Sequence, residues 1–153
     1  MLDVYKIRED FPILGKKVNN TDLIYFDNAA TSQTPNQVID VISDYYKQYN
    51  SNIHRGLHSL SADATNKYEN SRTIIKNHFG ASHEQEIIFT SGTTHGINII
   101  SSGLEELISS KDELIVSEME HHSNIVPWQM LCEKTGSKLK VIPINDDGTL
   151  NMD

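Results

Sequence analysis

The stretch "EIIFTSGTTHGIN", from Glu86 to Asn98, joins a short, apolar, β-branched run to a cluster of small hydroxyl residues and then to helical spacing. The pattern predicts a buried strand that turns directly into a helix. The same rhythm recurs downstream. Strands are expected at "EIIF" (Glu86 to Phe89), "ELIVS" (Glu113 to Ser117) and "LKVIP" (Leu139 to Pro143), with helices over Thr93 to Ile108 and Ser123 to Thr135 between them. Pro127 falls in the first turn of the second of these helices, and Gly136 closes it. A βαβαβ run of this kind predicts the α/β class, with parallel strands alternating with helices and right-handed crossovers. In such sheets function gathers at the carboxyl ends of the strands.

Upstream, Thr34 to Tyr49 predicts a helix with a Thr34 cap, Pro35 at its first position and an apolar face of Val38, Val41, Ile42, Tyr45 and Tyr49. Ser61 to Phe79 predicts another, closed by Gly80 where a left-handed residue is wanted. No internal repeat is evident. A turn signal at Asp147-Gly148 comes where a new element is due, and three parallel strands leave a sheet edge uncovered. The expectation is a truncated chain with an incomplete sheet.

At 153 residues the sequence suits one ordinary domain. A net charge of -8, with no segregated basic stripe, argues against a nucleic-acid partner, because phosphates would be repelled. The one cysteine, Cys132, excludes an internal disulfide and suits a reducing compartment. No apolar run approaches the roughly 20 residues of a membrane span. The opening "MLDVYKIRED" has neither a basic nor an apolar leader region, so a cytoplasmic protein is expected.

The chemistry concentrates at the predicted strand ends. Gly92, Thr93 and Thr94 sit at a helix start, where free N–H donors, a partial positive charge and threonine hydroxyls can hold a phosphate. The lysine of a nucleotide P-loop and a full GxGxxG are both missing, which favours a small phosphorylated cofactor. A plain capped helix would use the same residues. His121 and His122 in "EMEHHSNIVPWQ" follow the next strand by a few residues. Neighbouring side chains in extended chain point apart, so the pair is ill suited to one metal. One imidazole facing a planar cofactor could stack on it or relay a proton, and an ordinary surface or capping role ahead of Ser123 is the alternative. In "NIHRGLHS", His54 and His58 are four apart, but Arg55 stands where a metalloprotease needs glutamate and Gly56 weakens a helix, so no metal is expected. Cys132, inside a predicted helix, is expected to pack rather than react.

Taken in order, "YFDNAATSQTP", "NIHRGLHSLS", "IIFTSGTTHGIN", "EMEHHSNIVPWQMLC" and "VIPINDDGTL" resemble the amino-terminal part of the class V aminotransferase family, closest to cysteine desulfurases of the Suf type and their selenocysteine lyase relatives. The resemblance runs from about Asp10 to the last residue. It implies part of the large domain of a pyridoxal 5′-phosphate (PLP)-dependent transferase of fold type I, with residues 1–20 on the small-domain side and 21–153 in the large domain. It places Thr94 on the cofactor phosphate with Gly92 and Thr93 shaping the loop. His121 then stacks on the ring and serves in proton transfer, His54 is an active-site histidine, and Ala29 and Ala30 line the substrate side. The implied full-length enzyme is a homodimer, roughly two to three times this length. It converts L-cysteine to L-alanine and passes the sulfur through an enzyme persulfide to an acceptor protein for iron-sulfur cluster assembly. The lysine that holds the cofactor, the aspartate on its ring nitrogen, the substrate-carboxylate arginine and the persulfide cysteine have no match here, so these residues alone are expected to be inactive. A kynureninase-like or epimerase-like enzyme is the alternative within the family, and a non-enzymatic domain binding a phosphorylated ligand the alternative outside it.

Overall fold

The computed structural model describes residues 2–152, and the chain divides into two compact units, Met1–Ile87 and Ile88–Asp153. The boundary expected after residue 20 falls inside the first unit.

In the first unit, helix α1 (Val4–Glu9) is capped by Asp3, whose carboxylate accepts the Lys6 amide at 3.2 Å. After a 3-10 turn at Pro12–Gly15, strands β1 (Lys17–Val18) and β2 (Thr21–Asp22) pair antiparallel. Asn19 and Asn20 join them at φ 52° and 62°. Asparagine tolerates that left-handed conformation, and a two-residue hairpin turn of type I′ requires it at both positions. Helix α2 (Asn36–Asp44) begins later than expected: Pro35 itself takes the N-cap position and no side chain caps the helix, so the Thr34 cap is not formed. The helix widens into a π turn over Tyr45–Tyr49, where the Tyr45 ring meets Tyr46 and Tyr49 edge-on. Helix α3 (Ser59–Phe79) ends as predicted on Gly80, at φ 69°. It starts two residues before Ser61, with the His58 ring accepting the Ser61 amide.

The second unit holds the α/β frame. Strands β3 (Glu113–Ser117) and β4 (Lys138–Ile142) run parallel, in register from Glu113 opposite Lys138 to Ser117 opposite Ile142. Helix α5 (Val126–Thr135) crosses between them and ends on Gly136 at φ 74°. Its start is a correction: a separate 3-10 turn at His122–Asn124 comes first, and the helix opens at Val126 with Pro127 in its first turn. Leu131 and Cys132 on α5 and Val116 on β3 are buried, so Cys132 packs as expected. Helix α4 (Thr93–Gly103) stops short of Ile108. Its last residues, Ser101-Ser102-Gly103, are weak helix formers.

The strand expected at Glu86 to Phe89 is not formed. Glu84–Glu86 makes a 3-10 turn, and the chain that follows pairs with no other strand among the described residues. A strand exists only through its ladder. Ile88 is accordingly 68% exposed. The predicted βαβαβ therefore reduces to one βαβ unit, an incomplete sheet of the α/β class. The turn at Asp147-Gly148 forms, with Gly148 at φ 83° and Ile144 bridging Leu150.

Candidate functional site

Helix α4 opens on Gly92, whose φ of 131° and ψ of 171° suit glycine alone. A Cβ placed there would meet no atom within 4 Å, so the backbone faces open space. The first helical hydrogen bond runs from the Gly96 amide to the Gly92 carbonyl at 3.0 Å. Among the described residues the amides of Thr93, Thr94 and His95 therefore donate to nothing, and Gly92 has no side chain to cap them. Thr90 Oγ donates to the Gly92 carbonyl at 3.1 Å, and the Ser91 amide donates to His95 Nδ1 at 3.2 Å, which fixes the loop ahead of the helix. Three free amides at the positive end of a helix form an anion cradle, with the exposed Thr94 beside them.

His121 lies in the same unit, in the turn after β3. Its Nδ1 accepts the Ser123 amide at 3.2 Å and lies 2.9 Å from the Ser123 hydroxyl. Because Nδ1 is an acceptor, the proton of the neutral ring sits on Nε2. The sequence expectation put the cap at Ser123 and the two histidines on opposite sides. Instead His121 caps the 3-10 turn itself, and the two rings are perpendicular with centroids 6.0 Å apart. Ahead of them, Glu120 accepts from the Ser117 hydroxyl at 2.9 Å and from the Asn124 side-chain amide at 2.8 Å, and Asn124 accepts from the Trp128 indole at 2.8 Å. The Asn124 and Ser117 hydrogen bonds hold the Glu120 carboxyl below its ordinary range. Helix α4 packs against the His122–Asn124 turn, and α5 packs against both.

The first unit carries the other expected site residues. His54 has φ 65°, its amide donates to Thr65 Oγ at 2.9 Å, and its Nε2 lies 3.2 Å from a Glu69 oxygen. Ser61, 1% exposed, donates to the Asn52 carbonyl at 2.7 Å and accepts the Gly56 amide at 3.0 Å. His54 and His58 are thus built into the start of α3. Ala29 and Ala30 sit exposed in a turn closed by the Ala30 and Thr31 amides on the Asp27 carbonyl and by the Tyr25 hydroxyl on the Thr31 carbonyl. The sequence marked Ser61 only as a helix start and gave no role to Glu120 or Asn124. The only local signal for them was a polar side chain three or four residues from a predicted element end.

An incomplete parallel sheet joined by a crossing helix defines a chain of the α/β class. Residues 24–153 match the model of the aminotransferase class-V family, and the chain belongs to that family. A probable cysteine desulfurase of Staphylococcus epidermidis is 52% identical over 152 residues, covering 99% of this chain and 37% of the relative. One from Staphylococcus aureus is 49% identical over the same span and share. Among solved structures, the apo cysteine desulfurase of Thermococcus onnurineus superposes with a TM-score of 0.87 at 40% identity, over 99% of this chain and 36% of that one. The cysteine desulfurase CsdA of Escherichia coli gives 0.75 at 30% identity, over 95% and 36%. The chain thus spans a little over a third of the length of these relatives. Class V membership implies PLP as cofactor. No helix among the described residues is long and apolar enough to cross a membrane.

Proposed function

We propose that these residues are the amino-terminal portion of a cytoplasmic, PLP-dependent cysteine desulfurase of the Suf type. In this reading residues 1–20 belong to its small-domain side and 21–153 to its large domain. The observation that carries it is the start of α4, where the amides of Thr93, Thr94 and His95 are free behind a glycine whose missing Cβ leaves open space. Those groups fit a phosphomonoester: the amides and the Thr94 hydroxyl supply donors, and the helix end supplies positive potential. PLP bound there supplies a ring that draws electrons from the substrate carbon.

This chain's own residues then have distinct tasks. Gly92 and Thr93 shape the phosphate loop, Thr94 orients the phosphate, and His121 presents an Nε2–H ring to cover the cofactor and hold a proton for transfer. His54, kept in place by Thr65 and Glu69, and Ala29 and Ala30 are assigned to the substrate side by family likeness. The lysine, the ring-nitrogen aspartate, the substrate arginine and the sulfur-carrying cysteine fall, by family likeness, to the rest of the relatives' length. Cys132 is buried in α5 and takes no part. The 153 residues alone bind cofactor reversibly without turnover. The whole enzyme is a homodimer that releases L-alanine from L-cysteine and hands sulfur to an acceptor protein for iron-sulfur cluster assembly.

The test is a chimera in which these residues replace the matching part of the Staphylococcus epidermidis relative. Release of alanine from L-cysteine in the presence of PLP is expected, with sulfide freed from the persulfide when a dithiol reductant is added. A folded, cofactor-loaded chimera that releases neither would refute the proposal.

A further inference from the structure

His121 stands in a turn of three different hydrogen-bonding layers. It caps the turn through Ser123, its carbonyl accepts the Asn124 amide at 2.7 Å, and Glu120 spans the turn from outside. Glu120 Oε1 takes the hydroxyl of Ser117, the last residue of β3, and Oε2 takes the side-chain amide of Asn124, whose own oxygen takes the indole of Trp128 on α5. One carboxylate therefore links the end of the strand, the far side of the histidine turn and the first turn of the following helix. Each of its oxygens has its own donor, so one side chain ties both ends of the turn at once.

Resting on the reading above that His121 covers the cofactor ring, we infer that Glu120 is the positioning residue for His121. The carboxylate sets the path of the chain on both sides of the histidine, and so the angle at which its ring is offered. The Asn124 and Ser117 donors also hold its pKa below the ordinary carboxylate range, which agrees with a group kept in the charged form. Glu120 does not meet the phosphate loop. It governs the ring half of a ligand and leaves the phosphate half alone.

The test uses the whole chain with Glu120→Ala and Glu120→Gln, and Thr94→Ala as reference. Nitrogen NMR of the His121 ring and the amide signal of Ser123 need no ligand. In Glu120→Ala the ring should lose its fixed Nε2–H tautomer and the Ser123 amide should shift, while the amides of β3 and β4 stay in place. The isosteric Glu120→Gln can keep both contacts, its carbonyl accepting from Asn124 and its amide donating to the Ser117 hydroxyl, so it should stay near the parent and guards against simple misfolding of the alanine variant. In binding, Glu120→Ala should weaken PLP about two- to tenfold, the worth of a ring contact, and leave inorganic phosphate unchanged. Thr94→Ala should weaken both. An unchanged tautomer and Ser123 amide in Glu120→Ala would overturn the inference, as would equal losses for PLP and inorganic phosphate. If the parent binds neither ligand, the proposed function falls, and the ring signals still decide the role of Glu120.

Discussion

A Cβ added to Gly56 would lie 2.4 Å from the Cβ of Ser61 and 2.5 Å from its hydroxyl. The two residues meet because the Gly56 amide donates to Ser61 Oγ while Ser61 donates to the Asn52 carbonyl, folding the loop that carries His54 onto the first turn of α3. Gly56→Ala should therefore destabilise the first unit by about 1–3 kcal/mol through overpacking. Ser61→Ala should cost about as much, by leaving buried polar partners unpaired. Removing the Ser61 side chain altogether relieves the clash, so Gly56→Ala should cost less in a Ser61→Gly background. Urea unfolding of the parent and these four variants checks this, and strict additivity of Gly56→Ala and Ser61→Gly would speak against the contact.

The two histidines of the β3–α5 turn should separate by stability as well as by ligand. His121 makes the cap and His122 makes none, so His121→Ala should lower stability by about 1 kcal/mol and His122→Ala by much less. Thermal unfolding of both variants decides it; a larger loss for His122 would contradict the assignment.

Acid should loosen the fold. Glu84 is held below its ordinary range by the Lys76 ammonium, Asp112 by the Ser109 amide and hydroxyl, Glu120 by Asn124 and Ser117, and Asp147 by the Thr149 hydroxyl and amide. Each carboxyl is more acidic folded than unfolded, so its stabilisation is complete above the ordinary carboxylate range near about pH 4 and is lost as pH falls through the folded value. Urea midpoints should be level near neutrality and drop below that range, with a shallower drop in Asp147→Asn. A midpoint that rises on acidification would be the opposite result.

Local signals explain what the sequence showed and what it hid. Gly80 and Gly136 end α3 and α5 because a left-handed residue is needed at one position, which a reader can place to the residue. Strand β3 stands at the predicted residues and β4 within one residue of them, since their apolar runs are bounded by turns. "EIIF" is a similar apolar run, yet pairing is non-local and it joins no strand ladder among the described residues. The β1–β2 hairpin was readable from Asn19-Asn20 and was missed because two-residue strands carry no periodicity. At the candidate site, the start of α4 was visible as a change to helical spacing after Gly92. The capping by His121 and the Glu120 bridge were not, since they depend on where side chains meet around a turn.

The most direct test is equilibrium binding of PLP to the chain and to its Thr94→Ala variant. The account predicts reversible binding by the parent, with no borohydride-fixed adduct at any one lysine. Loss of one charge-assisted hydroxyl bond should weaken the variant roughly ten- to hundredfold. Equal affinity in the two proteins would remove Thr94, and with it the start of α4, from the cofactor site.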